Sequence, residues 1–325
     1  MTLTVYIKRG SEIESIHSAF AVAVDRFGDI ICSIGDPQHI TCIRSSLKPF
    51  QACAGVESGA FDKYKLSNAE IALTCSSHNA ELIHTETAIK ILDKINLSLN
   101  SLECGKHPAH HQKTRKNMTE SKTPYTAIHN NCSGKHSGML CLTKFFNYPI
   151  KGYIDINHPT QQYILNSLYK YSKIKNPYYG IDGCSVPTPF YTLKTIAEMY
   201  QKIGNPNDSN MCKIYSAMRD HPYLIAGDGR FDSSFIKALK GRGIAKGGGE
   251  AIQGITIKTK KHGVVGIAIK ILDGSHRARA SAIMKFLTHF KLLERQEIKE
   301  LNNFISPAII NHNKTKTGYI ESVIK

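Results

Sequence analysis

Two hairpin patterns at opposite ends of the chain constrain its fold most strongly. Near the start, the apolar segment 18–24 is separated from the apolar segment 30–34 by a short polar turn. Near the end, segments 252–259 and 264–272 flank a turn that contains Gly263. Apolar runs of this length, joined by glycine-bearing turns, are typical of antiparallel β-hairpins. We therefore expect one sheet that takes strands from both ends of the chain.

The sequence between the two hairpins is mostly helical in pattern. Helices are predicted at about residues 81–95, 134–146, 159–172, 189–203 and 210–218, with another at 276–293. Because such helices must bury their apolar faces, the expected class is α+β, an antiparallel sheet with covering helices and a helical lobe. We expect a single domain over residues 1–325, with a sheet lobe (1–60 and 240–325) and a mainly helical lobe (61–239).

Composition argues against several classes of protein. There is no apolar stretch long enough for a membrane span and no secretory leader pattern, so we expect a cytoplasmic protein without a membrane partner. Nine cysteines, an odd number spread along the chain, favour reduced thiols over a disulfide framework. The net charge of +16 is compatible with nucleic-acid binding. However, no zinc-finger, helix-turn-helix or RNA-binding motif accompanies it, so no specific nucleic-acid partner is expected.

The segment 44–48 (Arg-Ser-Ser-Leu-Lys) places Ser45 three positions before Lys48. On a helix, side chains at this spacing share one face. A lysine that is desolvated beside another cation can lose its proton and act as the base for a serine hydroxyl. Ser-x-x-Lys is one arrangement that serves acyl transfer in this way. Pro49 and the apolar residues after it predict a buried helix that begins at this pair.

Four further loops carry serine, cysteine or glycine in positions suited to a site. They are residues 74–81 with Ser77, which follow the strand-like segment 71–73; residues 130–139 with Cys132; residues 182–188 with Cys184; and the glycine-rich residues 245–250. The pair Gly134-Lys135 is reminiscent of a phosphate-binding loop, but the glycine required five positions earlier is replaced by His129. That interpretation is rejected.

Together these segments resemble the bacterial L-asparaginases of the Rhizobium etli type. The resemblance runs through almost the whole chain, and its motifs lie at residues 44–51, 77–81 with His84, 104–108, 130–139, 182–188, 217–227 and 246–250. So many motifs in the same order make the resemblance specific. It implies a fold similar to that of serine β-lactamases and glutaminases.

The resemblance implies two Ser–Lys pairs, Ser45 with Lys48 and Ser77 with Lys246. Ser45 would attack the side-chain amide carbon after giving its proton to Lys48. Ser77 and Lys246 would relay a proton to the leaving ammonia and then help to activate water. Five other residues are expected to contact the substrate or to support the residues that do: Arg44, His78, His136, Asp182 and Glu250.

The resemblance also implies a zinc ion near the active site. Its ligands would be Cys132, Lys135 and Cys184. Thiolates suit zinc, and a lysine ligand would have to be neutral. Asp182 and His136 are neighbours of these ligands in the sequence and would orient either the metal site or the substrate.

The expected function is hydrolysis of L-asparagine to L-aspartate and ammonia by a homodimeric enzyme. Two alternatives remain open: a β-lactam or peptide acyl hydrolase, which Ser-x-x-Lys alone would favour, and a non-enzymatic zinc- or redox-sensing protein that uses Cys132 and Cys184. The triplet Lys316-Thr317-Gly318 matches a β-lactamase motif. It is expected to lie in a polar tail-like segment outside the site.

Overall fold

The structure is a computed structural model, and it describes residues 1–325. The strands are β1 (Leu3–Arg9), β2 (Glu12–Val24), β3 (Ile30–Ile34), β4 (Ile40–Cys42), β5 (Tyr179–Ile181), β6 (Pro187–Thr192), β7 (Gly243–Gly247), β8 (Ile252–Thr259), β9 (Gly263–Ile271), β10 (Ala308–Ile310) and β11 (Lys316–Ile324). The helices are α1 (Lys48–Glu57), α2 (Ala60–Lys63), α3 (Asn68–Thr74), α4 (Leu82–Lys94), α5 (Gln112–Glu120), α6 (Ser133–Phe145), α7 (Pro159–Ser172), α8 (Leu193–Ile203), α9 (Ser209–Asp220), α10 (Pro222–Ala226), α11 (Phe231–Ala238), α12 (His276–His289) and α13 (Arg295–Glu300).

Both predicted hairpins are present, and they belong to one antiparallel sheet. Strands β2 and β3 pair with each other, as do β8 and β9. The strand order is β10-β11-β1-β2-β9-β8-β7, with β3 on β2, so the N-terminal strands lie between strands from the C-terminal part of the chain. The α+β class, with a sheet built from both chain ends, is therefore confirmed.

Alternating side chains on the strands of this sheet enter two different hydrophobic cores. On β2, Val22 and Val24 join the core that α8 covers, whereas Ala21 and Ala23 join the core that α12 covers. Successive residues of a strand point to opposite faces, so a strand covered on both sides reads as a continuous apolar run. The sheet therefore lies between two layers of helices.

The helical part of the chain is organised around α1. Every residue of α1 is buried except its last, Glu57, which agrees with the buried helix predicted after Pro49. Helices α6, α7 and α9 pack against it. Their neighbour α8 joins them to the sheet, because it packs on α7 and on β9. None of the helices has both the length and the apolar character needed to span a bilayer.

Several local predictions are wrong. The segment 71–73 is not a strand but the end of α3, which begins at a capping box made by Ser67 and Glu70. The helix predicted from 189 begins only after Thr192, since the preceding residues form β6 in a separate three-stranded sheet, β4-β6-β5.

The segment 316–318 is not part of a tail. It begins β11, which pairs with β1 and β10, and β1, β2, β9 and β8 lie between it and β7. Lys316 is exposed, and its amine lies over the ring of Tyr319. An alternating strand with polar residues on its solvent side has too few apolar residues to be distinguished from a loop by composition.

Candidate active site

The hydroxyl of Ser77 lies between two lysine amines. Lys48 Nζ donates to Ser77 Oγ over 3.0 Å, and Lys246 Nζ lies 2.9 Å from the same oxygen. All three side chains are buried. The groups come from different elements, because Lys48 begins α1, Ser77 follows α3 and Lys246 lies on β7. A serine between two buried amines has the donors and acceptors needed for proton transfer.

The Lys48 amine does not make the hydrogen bond to the Ser45 hydroxyl that the sequence predicted. Its other two hydrogen bonds go to the backbone oxygens of Ser76 at 2.6 Å and Asn131 at 3.4 Å. Together with Ser77 Oγ, these acceptors match the three N–H groups of an ammonium. The long side chain therefore extends to the loop after α3, which supplies two of these three acceptors.

Lys246 lies in an environment that disfavours its charge. Burial lowers the pKa of Lys246 to about 7, and the nearby Asp232 carboxylate opposes part of that shift. Asp232 Oδ2 lies 3.8 Å from Lys246 Nζ and accepts the Gly247 N–H at 2.8 Å. Burial would raise the pKa of Asp232, but Lys246 and Arg279 lower it, so the carboxylate stays ionised. A lysine with this pKa is partly neutral near pH 7 and can accept a proton.

Both predicted serines line one cleft of about 450 Å³. None of the lining residues is hydrophobic; they are Ser45, Ser77, His110, Asn131, Arg230, Asp232, Gly247, Gly248, Gly249, His276 and Arg279. Ser45 is only partly buried, and its hydroxyl makes no hydrogen bond within the chain. A polar cleft of this size suits a small charged molecule better than an apolar one.

A second cavity of about 230 Å³ adjoins this cleft. The two have Ser45, His110, Asn131 and Gly249 in common. The second cavity is also lined by the cysteines of the predicted zinc site, which places that site next to the serines.

The residues of the predicted zinc site are brought together. Lys135 Nζ donates to Cys184 Sγ at 2.8 Å. The neighbouring Cys184 thiol, together with Lys48 and Lys135, lowers the pKa of Cys132 although burial opposes that shift. Burial would lower the pKa of Lys135, but the two sulfurs raise it. Nowhere do three His, Cys, Asp or Glu side chains gather as a metal site. Two sulfurs and an amine that already contact each other nevertheless fit a thiophilic ion such as zinc, once the metal replaces their protons.

The other site residues that the resemblance predicts differ in how far they are buried and in whether they line a cavity. Arg44 Nε donates to Asp182 Oδ1 at 2.6 Å, and both side chains line the second cavity. His136 is fully buried behind it, with Nδ1 on the Tyr153 hydroxyl at 2.7 Å and no partner for Nε2.

Two more predicted residues lie outside both cavities. His78 is fully buried, accepts the Ala80 N–H at Nδ1 and contacts Ser133 Oγ through Nε2, which supports the loop that carries Ser77. Burial lowers the pKa of His78 well below its ordinary value. Glu250 is exposed and lines a separate recess together with Arg44 and Lys270.

Sequence analysis missed the charged residues of the main cleft, Arg230, Asp232 and Arg279. Asp232 and Arg230 lie at the start of α11, and Arg279 lies in the first turn of α12. None of them belongs to a nucleophile, metal or glycine motif. The sequence predicted that Arg279 lies in a helix, but its position in the cleft depends on how α12 packs against β9 and against residues 249–251, which follow β7.

Comparison with known proteins provides one family match. The family model described as L-asparaginase II matches residues 5–322. No curated protein matches the chain. Among solved structures, that of Mglu in its native form has a TM-score of 0.37 and 13% identity over 84% of this chain, which spans 61% of the Mglu chain. A Bacillus glutaminase has a TM-score of 0.33 and 11% identity over 84% of this chain and 91% of its own. Scores this low carry no argument about this protein.

Proposed function

This chain belongs to the L-asparaginase II family, and we propose that it hydrolyses L-asparagine to L-aspartate and ammonia through a serine acyl-enzyme. Family membership supports an amidohydrolase of this type. The observation that carries the mechanism is the Ser77 hydroxyl between the amines of Lys48 and Lys246. The polar cleft around it has cations and an anion for a substrate that carries both charges.

In the proposed acylation step, neutral Lys246 accepts the proton of Ser77 as Ser77 Oγ attacks the side-chain amide carbon. Lys48 keeps its hydrogen bond to this oxygen and stabilises negative charge on it. The Lys246 ammonium then gives its proton to the amide nitrogen, the C–N bond breaks, and ammonia leaves. An ester to Ser77 remains.

Deacylation reverses the proton path. Water attacks the ester carbon while Lys246 takes a proton from it, and that proton returns to Ser77 Oγ as L-aspartate leaves. One lysine thus acts as base and acid in turn, which requires a pKa close to the working pH.

This proposal changes the roles expected for the two serines. The sequence-based hypothesis makes Ser45 the nucleophile, but both lysines contact Ser77 instead. Ser45 stays in the proposed site as the hydroxyl that lines both cavities, where it would contact the substrate. The acylated serine can be identified directly by experiment.

Zinc is proposed as the resident metal, held by Cys132, Lys135 and Cys184. When bound, it would hold the two loops together and offer a positive charge to a polar end of the substrate. The chain's own residues can carry every proton transfer described above. A homodimer is proposed from the family resemblance, and light scattering of the purified protein tests it. A cytoplasmic location is proposed from the nine free cysteines, which fit a reducing compartment.

The test of the function is ammonia release by the purified protein from L-asparagine and L-glutamine, with hydrolysis of a chromogenic β-lactam measured in parallel. We expect the highest kcat/KM for L-asparagine and no β-lactam turnover. Preferential β-lactam turnover would support the acyl-hydrolase alternative. Failure to hydrolyse any of the three, with zinc supplied, would contradict the proposed activity.

A further inference from the structure

Arg279 is a cation in the main cleft without a partner in the chain. Its side chain is half-buried and lines the cleft with Ser77, yet it forms no hydrogen bond with the protein, and the Asp232 carboxylate acts on its charge only from beyond ion-pair distance. A guanidinium has five N–H donors and no acceptor, and enclosing it without acceptors costs free energy. Solvent or a ligand, and not this chain, must supply those acceptors.

The position of Arg279 in its helix adds to the free-energy cost of leaving its positive charge without an acceptor. It lies in the first turn of α12, a helix of 14 residues that has no acidic residue in that turn and no side-chain cap on its first N–H groups. A cation there opposes the helix dipole, whereas an anion would be stabilised by both the dipole and the guanidinium.

Arg279 also lies close to the proposed catalytic groups. A Cβ atom added to Gly247 would stand 2.2 Å from Arg279 Nη1 and 2.9 Å from Cζ, so a side chain there would displace the guanidinium from its position in the cleft. Arg279, Gly247 and Ser77 line the same cleft. A group bound to Arg279 within this cleft would therefore lie near the attacking hydroxyl.

The other charges of the cleft are already engaged. Arg230 Nη1 donates to Asn79 Oδ1 at 2.8 Å. The two oxygens of Asp232 accept from Gly247 N at 2.8 Å and Gln253 Nε2 at 3.1 Å. Arg279 is thus the arginine of this cleft that makes no hydrogen bond within the chain.

We propose that Arg279 binds the α-carboxylate of the amino-acid substrate and thereby selects free amino-acid amides over amides that lack this group. The inference rests on the proposed amidohydrolase function. A planar guanidinium can bind a carboxylate through two parallel charge-assisted hydrogen bonds. The α-carboxylate is the part of L-asparagine that such a group recognises.

The test compares L-asparagine with 3-aminopropanamide, which is L-asparagine without its α-carboxylate. We expect Arg279→Gln to lower kcat/KM for L-asparagine about 100-fold, chiefly through KM, and to leave kcat/KM for 3-aminopropanamide unchanged. Arg279→Lys should recover part of the loss, because the charge remains but the two-bond geometry does not.

Arg277→Gln is the matched control, since it removes the same charge from an exposed position two residues earlier in α12. It should leave both substrates unaffected. Equal losses on both substrates in Arg279→Gln, or an unchanged preference for L-asparagine, would overturn the proposal. Thermal melts of each variant check the fold.

A failure of the proposed function can be distinguished from a failure of the proposed role of Arg279. If the wild-type protein hydrolyses neither amide, that function is wrong, and calorimetric titration with L-aspartate and 3-aminopropanoate tests Arg279 without turnover. Binding of L-aspartate that Arg279→Gln abolishes would still support carboxylate recognition. Equal binding of the two acids by the wild-type protein would refute it.

Discussion

Ser77 Oγ and Lys246 Nζ lie 2.9 Å apart although 169 positions separate the two residues in the sequence. Lys48 Nζ donates to the same oxygen, and Lys48 lies 29 positions before Ser77. The Ser-x-x-Lys motif thus contributes its lysine to a serine outside the motif.

Removal of the Ser77 hydroxyl should abolish turnover. In Ser77→Ala, both lysines lose their common partner, and we expect kcat for L-asparagine to fall by about three orders of magnitude or more. Steady-state ammonia release measures this, with a thermal melt to show that the fold persists.

Identification of the serine that becomes acylated distinguishes Ser77 from Ser45 as the nucleophile. Wild-type protein quenched in acid during turnover, or treated with a slowly released acylating analogue, should carry the adduct on Ser77 in peptide mass spectrometry. An adduct on Ser45 instead, with Ser45→Ala inactive, would return the nucleophile's role to Ser45.

Replacement of either buried lysine by arginine should nearly abolish activity. Lys246→Arg keeps a positive charge, but arginine cannot be deprotonated in a protein and so cannot act as the base. Lys48→Arg also keeps the charge, but the larger guanidinium does not fit the buried position in which the amine donates to Ser77 Oγ. Lys240→Arg, at an exposed residue paired with Glu300, is the control and should be unaffected. A wild-type rate in Lys246→Arg would mean that this lysine acts only as a fixed charge.

The pH dependence of kcat should report Lys246. The base is active when neutral, so the rate should rise with pH through about 7, the pKa to which burial lowers Lys246. Asp232 opposes that shift and keeps the pKa higher than burial alone would. Asp232→Asn removes this carboxylate, so the pKa of Lys246 should fall and the acid limb should move to lower pH.

The control for the pH profile is Glu300→Gln, which changes charge at the surface. Its acid limb should coincide with that of the wild type. An acid limb that stays in place, or moves to higher pH, in Asp232→Asn would exclude Lys246 as the titrating base.

Purified protein should contain about one zinc per chain. The double variant Cys132→Ser/Cys184→Ser should lose it, because a hydroxyl is a far poorer ligand for zinc than a thiolate. We expect a higher KM for L-asparagine in this variant. Cys212→Ser, at a partly exposed cysteine outside both cavities, should keep the metal. Metal-free active wild-type enzyme, found by elemental analysis, would refute zinc as the cofactor.

Much of the fold was predictable from local patterns. The hairpins β2–β3 and β8–β9 follow from apolar segments that flank polar turns, and α6 and α7 lie within one residue of their predicted bounds. Such elements depend on residues near each other in the chain, whose backbone preferences and apolar spacing are visible in the sequence. The misread segment 71–73 shows the limit, since three apolar residues fit a strand and a helix equally well.

The sequence by itself determined both hairpins, most of the longer helices, the class of the fold, and which serines, lysines and cysteines were candidates for chemistry. The tertiary structure alone decided that the Lys48 amine hydrogen-bonds Ser77 Oγ and not the Ser45 hydroxyl, that Asp232 lies beside Lys246, and that Arg279 enters the cleft without a hydrogen bond to the chain. The physical reason is that local order depends on neighbouring residues. A site depends on how β7, α3, α11 and α12 pack, and on how far each long side chain reaches for acceptors that remote segments supply.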